Sequence, residues 1–358
     1  MKILILPSTT YEALIFAQEL KKLGHYVIGA SNVDSEFTNE NCFDELIDLP
    51  HLTDDSFLIE FESKLLAENI THFWTSVNSI YAFTQQKLQE LSIELLCFDP
   101  METPALPLKI IAKEVELRVP YYKSIGKSLK ITEKLVSLEQ INSLVFNALS
   151  LPGQSYLDKL ITIISIFSTV PKGDIIEIGS LWGRSAMLFS SLSNQYNKGN
   201  VLCVDPWPQD GLTQGVHKAL DDYSKILDMS NCFNYFIAKF SSLFPGRLNY
   251  MRQFSDDAIK EYKNFPGKLI TKEFGSVIYE QQIALLHIDG NHGYEAIKSD
   301  VDNWCPLVVK GGWIIFDDYN WSWGAGPKVV VDLYLIENKS NIDLAFFCGG
   351  AMFVKLRA

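Results

Sequence analysis

Two hydrophobic rhythms alternate along the chain. Lys2-Ile3-Leu4-Ile5-Leu6, Tyr26-Val27-Ile28-Gly29, Thr71 to Val77 and Ile93 to Phe98 have the length and content of buried strands. Between them, Phe16, Leu20 and Leu23, and then Leu58, Phe61 and Leu65, recur at helical spacing. Pro7-Ser8-Thr9-Thr10 offers N-cap hydroxyls to the first helix, and Gly24 stands where a C′ glycine would close it. This alternation predicts a small parallel sheet with helices on its faces over residues 1–100.

Prolines at 100, 104, 107 and 120 interrupt the next stretch, and SLKITEKLVSLEQINSLVFNALSL reads as helix in pieces, so residues 101–150 are expected to be a partly helical connector without chemistry. A second alternation begins near residue 151. Leu157, Leu160, Ile161 and Ile164 mark a helix face, and Asp174 to Ile178 and Val201 to Val204 mark strands. Residues 206–248 form an aromatic, largely helical insertion, too long for a simple βα loop and suited to a lid. Asn249 to Arg252 and Ile283 to Ile288 come next as strands. Ile297, Val301 and Trp304 suit one helix face, Gly311-Gly312 breaks it, and Trp313 to Phe316 forms the next strand. Asp343–Phe347 and Ala351–Leu356 around Cys-Gly-Gly predict a terminal antiparallel hairpin.

Chemistry gathers at the ends of these strands. Asp289 closes one, and Asp317 and Asp318 close the next. If the two strands are parallel neighbours, all three carboxylates reach the carboxyl edge of the sheet, where open α/β sheets bind ligands. There they would repel one another and raise their own pKa values unless a cation sat between them. A hard divalent ion, Mg²⁺ above all, suits oxygen ligands. Solvated strand caps are the plainer alternative. His292, three residues beyond Asp289, would lie over such an ion as a base, or else cap the next helix. His287 lies inside a strand and is expected to be structural, and His217 in the insertion is a weaker candidate for touching substrate. Gly179-Ser180-Leu181-Trp182-Gly183 comes directly after the strand ending at Ile178; its glycine spacing is not the GxGxxG of dinucleotide binders. Asp205 ends the following strand, where an acid can take both hydroxyls of a ribose.

Composition narrows the classes. The 358 residues suffice for two cores, and 47% hydrophobic with 12% aromatic content is globular. A net charge of -12 argues against nucleic acid and anionic membranes as partners. No apolar run approaches the roughly 18 residues of a membrane span. Six scattered cysteines without a CxxC pair suit buried thiols in a reducing, cytoplasmic setting.

The stretches EIGSLWGRSA, HIDGNHGYEAIKSDV and GGWIIFDDY, with Asp205 and the final hairpin, resemble class I S-adenosylmethionine-dependent methyltransferases, and within them the metal-dependent sugar O-methyltransferases of the macrocin and mycinamicin type. The resemblance spans residues 151–358 and implies an α/β, Rossmann-like fold. It implies that Glu177, Gly179, Ser180, Gly183 and Ser185 lie about the methionine end of the cofactor, that Asp205 holds its ribose, and that Gln253 and Ser255 lie near its adenine. It further implies that Asp289, Asp317 and Asp318 hold Mg²⁺ and that His292 is the base. Such a metal would lower the pKa of two vicinal hydroxyls and fix their geometry. The acceptor would be a sugar of a glycoside, polysaccharide or nucleotide-linked precursor. A catechol-like or other small diol is the alternative, as is a non-catalytic S-adenosylmethionine-binding or assembly module. KILIL, LGHYVIGAS, FDELIDLP and THFWTSV resemble the small amino-terminal domain of ATP-grasp enzymes. The PSTT loop has no glycine for a phosphate, so this pre-ATP-grasp-like domain is expected to serve packing, homo-oligomerisation or substrate shaping without ATP.

Overall fold

Parallel pairing governs the two larger sheets among the described residues. The computed structural model describes residues 1–31, 42–96, 105–131, 136–153, 155–208, 215, 221, 227–264 and 267–358. They divide into two units, Met1–Ile110 and Ile111–Ala358.

In the first unit, β1 (Lys2–Ile5), β2 (Tyr26–Ser31), β3 (Glu45–Asp48), β4 (His72–Trp74) and β5 (Glu94–Leu95) form an all-parallel sheet in the order β3-β2-β1-β4-β5. Helix α1 (Tyr11–Lys22) starts as its sequence suggests, with Thr10 Oγ1 accepting the Ala13 N–H at 3.2 Å. Gly24 beyond it takes the left-handed conformation at φ 78°. One face of the sheet buries Ile3, Ile5 and Val27 against Ala13, Ala17 and Leu20. The other buries Leu4, Ile28 and Phe73 against Phe57, Phe61 and Leu65 of α2 (Phe57–Ala67); α3 (Asn78–Glu90) comes after β4. The expected last strand, Ile93 to Phe98, ends on Cys97 and Phe98, which lie outside the described residues.

The stretch expected to be a partly helical connector is largely helical where described, and part of it packs into the second unit's core. Helices α4 (Ala105–Ser128) and α5 (Leu138–Leu149) contribute Val115, Tyr122, Ile141, Leu144 and Val145 to the cluster that contains Leu160 and Ile175. Pro120 sits inside α4 rather than ending it. A reciprocal box starts α5: Ser137 Oγ accepts the Gln140 N–H and Gln140 Oε1 accepts the Ser137 N–H. The division between the two units falls at residue 110, within α4 and inside the expected connector.

Next come α6 (Leu157–Ile166), β6 (Asp174–Ile178), α7 (Arg184–Tyr196) and β7 (Val201–Val204). Of the expected insertion, the described part holds α8 (Met229–Phe240), leading to β8 (Leu248–Met251) and α9 (Ser255–Asn264). A small antiparallel pair, β9 (Lys268–Thr271) and β10 (Gly275–Ile278), is absent from the hydrophobic pattern; Asn249 ties it down by donating to Leu269 O and Gly275 O and accepting from Thr271. The chain ends with β11 (Ile283–Ile288), α10 (Tyr294–Trp304), β12 (Val308–Phe316), α11 (Gly326–Glu337), β13 (Ile342–Cys348) and β14 (Ala351–Leu356). The sheet order is β13-β14-β12-β11-β6-β7-β8; β12, β11, β6, β7 and β8 are parallel, and β14 pairs antiparallel with both of its neighbours. This is the Rossmann-like sheet with a terminal hairpin that the sequence suggested. Strand order reverses between β6 and β11, so the ligand crevice of such a sheet opens there. Among the described residues, no helix is long and apolar enough to cross a membrane.

At the opposite, amino edge of β6, Asp174 is buried and accepts from the Tyr262 hydroxyl at 2.6 Å and from the Glu280 and Gln281 amides at 2.9 and 2.8 Å. Tyr262→Phe removes one of three bonds and should cost about 1–2 kcal/mol in a urea titration of the full chain. An unchanged midpoint would mean that the two amides suffice.

Candidate active site

The backbone ladder runs one residue past each strand. The Asp289 N–H donates to Ile178 O at 2.8 Å, Asp317 to Ile288 O at 2.9 Å, Gly179 to Val204 O at 2.8 Å and Asp205 to Met251 O at 3.2 Å. Gly179, Asp205, Asp289 and Asp317 are thereby brought to one sheet edge. A cavity of about 620 Å³ opens there, within the usual size of a small-molecule site.

Gly179, Ser180, Ser185, Asp205 and Ser255 line this cavity, as do Asp289, His292 and Asp318. Gly179 is needed for close approach: at φ 85°, a Cβ would stand 2.0 Å from Asp289 O. Asp205 anchors the loop as well as facing the cavity. Its Oδ2 accepts the Leu181 N–H at 2.9 Å and its Oδ1 the Trp207 N–H at 2.8 Å. A carboxylate has about four acceptor positions, and these amides, with that of Ser180, take only part of them. Burial lifts Asp205 to about 6 against those amides.

Three residues expected beside the cofactor are not among the cavity's lining residues. Glu177 is fully buried within the sheet, 3.3 Å from His287 Nδ1, because it lies on β6 itself and not in the turn after it. Gly183 faces away from the cavity; a Cβ there would stand 2.6 Å from the Phe240 ring, so its role is to let α7 approach α8. Gln253 donates to Glu261 at 2.7 Å, while its neighbours Phe254 and Ser255 turn inward.

The acidic triple also divides. Asp289, His292 and Asp318 place one ligand atom each within 4.8 Å of one another, as do His287, Asp289 and Asp317. His292 Nε2 lies 2.7 Å from Asp318 Oδ2 and 3.9 Å from Asp289 Oδ1. Asp318 takes a left-handed backbone, φ 52°, which a non-glycine holds only when its surroundings impose it. Asp317 turns inward and is not among the lining residues; its carboxylate is ion-paired with the buried ammonium of Lys159 and lies 3.6 Å from His287 Nε2. The three aspartates expected to hold one ion therefore differ in their surroundings: Asp317 is ion-paired with a protein cation. Burial would raise the Asp317 pKa, but Lys159 and His287 hold it far below the carboxylate range. Asp289 rises to about 7 through burial and the charge of Asp317. Burial opposes the charge of His292, yet Asp289 and Asp318 lift it to about 9. His287 is buried, as expected of a structural residue, and likewise rises to about 9 through Asp317 and Glu177.

Sequence reasoning passed over Lys159, Arg184 and Asp300. Arg184, on the cavity wall, donates twice to Leu151 O, at 3.0 and 2.7 Å. Asp300 comes from α10, is 3% exposed, and lines the cavity beside Ser255 with Oδ1 lacking a hydrogen-bond partner. A lone acid in the polar spacing of an amphipathic helix gives no signal of this. His217 lies outside the described residues.

Residues 176–319 match a family model described as a methyltransferase domain. Among solved structures, the chain is similar to CalS11, a calicheamicin methyltransferase (16% identity, TM-score 0.41, 66% of this chain and 91% of that one). It is also similar to the O-methyltransferase NovP (17%, 0.37, 63% and 82%) and to the MycE methyltransferase of the mycinamycin pathway, solved with Mg, SAH and mycinamycin VI (14%, 0.36, 61% and 54%). A curated relative, the uncharacterized protein R132 of Acanthamoeba polyphaga mimivirus, is 40% identical over 57 residues; these cover 14% of this chain and only 26% of that protein. Over residues 176–319 the second unit is thus similar to a methyltransferase domain, and these residues lie on the Rossmann-like sheet described above.

Asp300 supplies a pH test of the cavity wall. Burial, opposed by a bond from Ser255, raises it to about 7. It therefore binds its proton more tightly folded than unfolded. The stability it contributes is complete below about pH 4 and is lost as pH rises through 7. Asp300→Asn should gain on the wild type between pH 5 and 8 in thermal melts, by at most about 4 kcal/mol. Parallel curves would place the carboxyl in water.

Proposed function

We propose that this domain methylates a hydroxyl oxygen of a sugar, using S-adenosylmethionine and a divalent ion, with Mg²⁺ favoured by the oxygen ligands. The observation that carries the reading is the Asp289–His292–Asp318 group on the wall of the cavity that Gly179 and Asp205 also line. Its donor set fits the ion: two carboxylates face one space, and the raised pKa of Asp289 marks a charge deficit that a cation would relieve.

Gly179, Ser180 and Ser185 would border the amino-acid end of the cofactor, where the backbone approaches closely, and Asp205 would accept from its ribose with the lone pairs its loop amides leave free. Phe254 and Ser255 would flank the base. When bound, the sulfonium cofactor supplies an electrophilic methyl group, and a divalent ion acidifies the hydroxyls it touches. Asp289 and Asp318 would hold that ion. The chain's further task is to position the acceptor oxygen in line with the methyl group and exclude water, which accounts for much of the rate in a displacement. His292 Nε2, within reach of both carboxylates, would take the hydroxyl proton. It keeps its own proton up to about pH 9 while Asp289 and Asp318 lean on it. It is released for this work when those charges are met by another cation. A sugar suits the remaining wall: Trp182 and Trp321 line it, and the Trp321 ring lies 4.5 Å from that of His292.

Asp205→Ala should weaken S-adenosylhomocysteine binding to the full chain by roughly 1.5–3 kcal/mol in calorimetry, since it removes a charged acceptor and the loop anchor together. Equal affinity would remove the cofactor from this edge. Asp318→Asn should weaken Mg²⁺ binding and abolish transfer to a sugar diol while leaving cofactor affinity close to wild type. His292→Ala should keep the ion and lose turnover by roughly 10²–10⁴-fold. Full activity in EDTA would reduce the carboxylates to strand caps.

A further inference from the structure

Lys159 is a buried charge that the methyl-transfer scheme leaves unused. It stands in the first turn of α6, is 1% exposed, and sets its ammonium against Asp317 Oδ2 and 3.9 Å from Asp289 Oδ2. Helix stability does not explain it, since a cation in a first turn faces the positive end of the helix dipole. Burying an ammonium is also costly without good partners. The surrounding backbone is built to hold it. Gly349, in the turn between β13 and β14, would place a Cβ 2.3 Å from Lys159 N and 2.8 Å from Lys159 Cβ, so that turn lies directly on the lysine's own backbone. The next residue, Gly350, accepts the Tyr319 N–H at 2.9 Å, which ties the same turn to the loop carrying Asp318. Lys159 thus enters the acidic cluster on the Asp317 side, while the cavity reaches it through Asp289, His292 and Asp318.

We propose that Lys159 is a built-in cation of the acidic cluster: it occupies the Asp317 side, confines a divalent ion to Asp289 and Asp318, and holds the affinity for that ion down. The inference rests on the metal-dependent reading above, and its consequences for binding are separate from activity. A fixed unit charge a few ångströms from the ion opposes its entry strongly in so dry a place. It also keeps Asp289 and Asp317 together when no ion is bound. Lys159 is a positioning residue in this scheme and touches neither acceptor nor methyl donor.

The test is Mn²⁺ affinity, read by electron paramagnetic resonance on the full chain, for the wild type, Lys159→Met, Asp317→Asn and the double variant. Lys159→Met should bind roughly tenfold more tightly or better, with Asp317 freed as a ligand. Asp317→Asn should bind more weakly, because the ammonium then turns wholly to Asp289. The double variant, which removes the pair together, should return to within about threefold of the wild type. A double variant as weak as Asp317→Asn, with no gain in Lys159→Met, would make Asp317 a ligand and overturn the proposal. Binding by Lys159→Met but not by the wild type would sink the metal-dependent reading and keep Lys159 as the blocking cation. Equal binding by the two would do the reverse, and no binding by any variant would overturn both. If Lys159→Met fails to fold, the charge-balanced double variant still decides between a ligand and a paired Asp317.

Discussion

Carboxylates on adjacent parallel strands cannot share a dry edge without positive charge, and the second unit is arranged around that constraint. Ile288 pairs with Phe316 across β11 and β12, so Asp289 and Asp317 sit next to each other on neighbouring strands, spaced about 4.8 Å apart in such sheets. The compensating charges come from separate elements: Lys159 from α6, His287 from β11, and His292 from the loop after it. The α6 turn is pinned by the terminal hairpin, and His287 is pinned by Glu177 on β6. Charge balance at the site therefore depends on the whole sheet being assembled, and on its last two strands as much as its first.

The rim of the cavity stores backbone strain that this frame supports. Leu181 and Asp318 both hold left-handed conformations, at φ 46° and 52°, and Trp207, next to the lining residue Pro206, holds one at 37°. Each costs of order 1–3 kcal/mol and persists only where the surroundings over-determine it. The supports are visible: Asp205 accepts from the amides of Leu181 and Trp207, the Trp207 indole donates back to Leu181 O at 2.8 Å, and Trp207 is itself fully buried. Asp205 thus does for the Gly179 side of the cavity what Lys159 does for the acid side, holding a loop by a buried carboxyl group.

How much of this is legible in the sequence depends on what each signal encodes. Strand ends are legible because a buried parallel strand is an apolar run that stops, and the residue at the stop is on the binding edge. That rule locates Gly179, Asp205, Asp289 and Asp317. It does not encode which way a side chain turns after the stop, so Asp317 and Asp318 look equivalent in sequence although one faces protein and the other the cavity. Glu177 is misplaced for a related reason: it lies one residue before the strand ends, where alternation turns it into the core. Prolines weighed as breaks hide the length of one helix: Pro120 lies within α4, and that helix packs on the second unit's core. Lys159 is illegible in principle. A lysine within an amphipathic run has the pattern of a solvent-facing position, and only the placement of α6 beside β12 and the hairpin turn makes it a partner of Asp317.

Depth orders the three acids, and that order assigns their work. Asp317 has 8% of its side chain exposed, Asp289 25% and Asp318 37%. The deepest acid is met by a lysine that solvent does not reach. The middle one has only a distant share of that ammonium, 3.9 Å away, and a raised pKa. The outermost is met by a histidine, the side chain able to surrender its charge near neutral pH once another cation takes its place. Positive charge is thus permanent at the floor of the cluster and exchangeable at its mouth. Under the metal-dependent reading proposed above, such a gradient would suit a site entered from the cavity: the exchangeable charge lies at its mouth and the buried pair behind it.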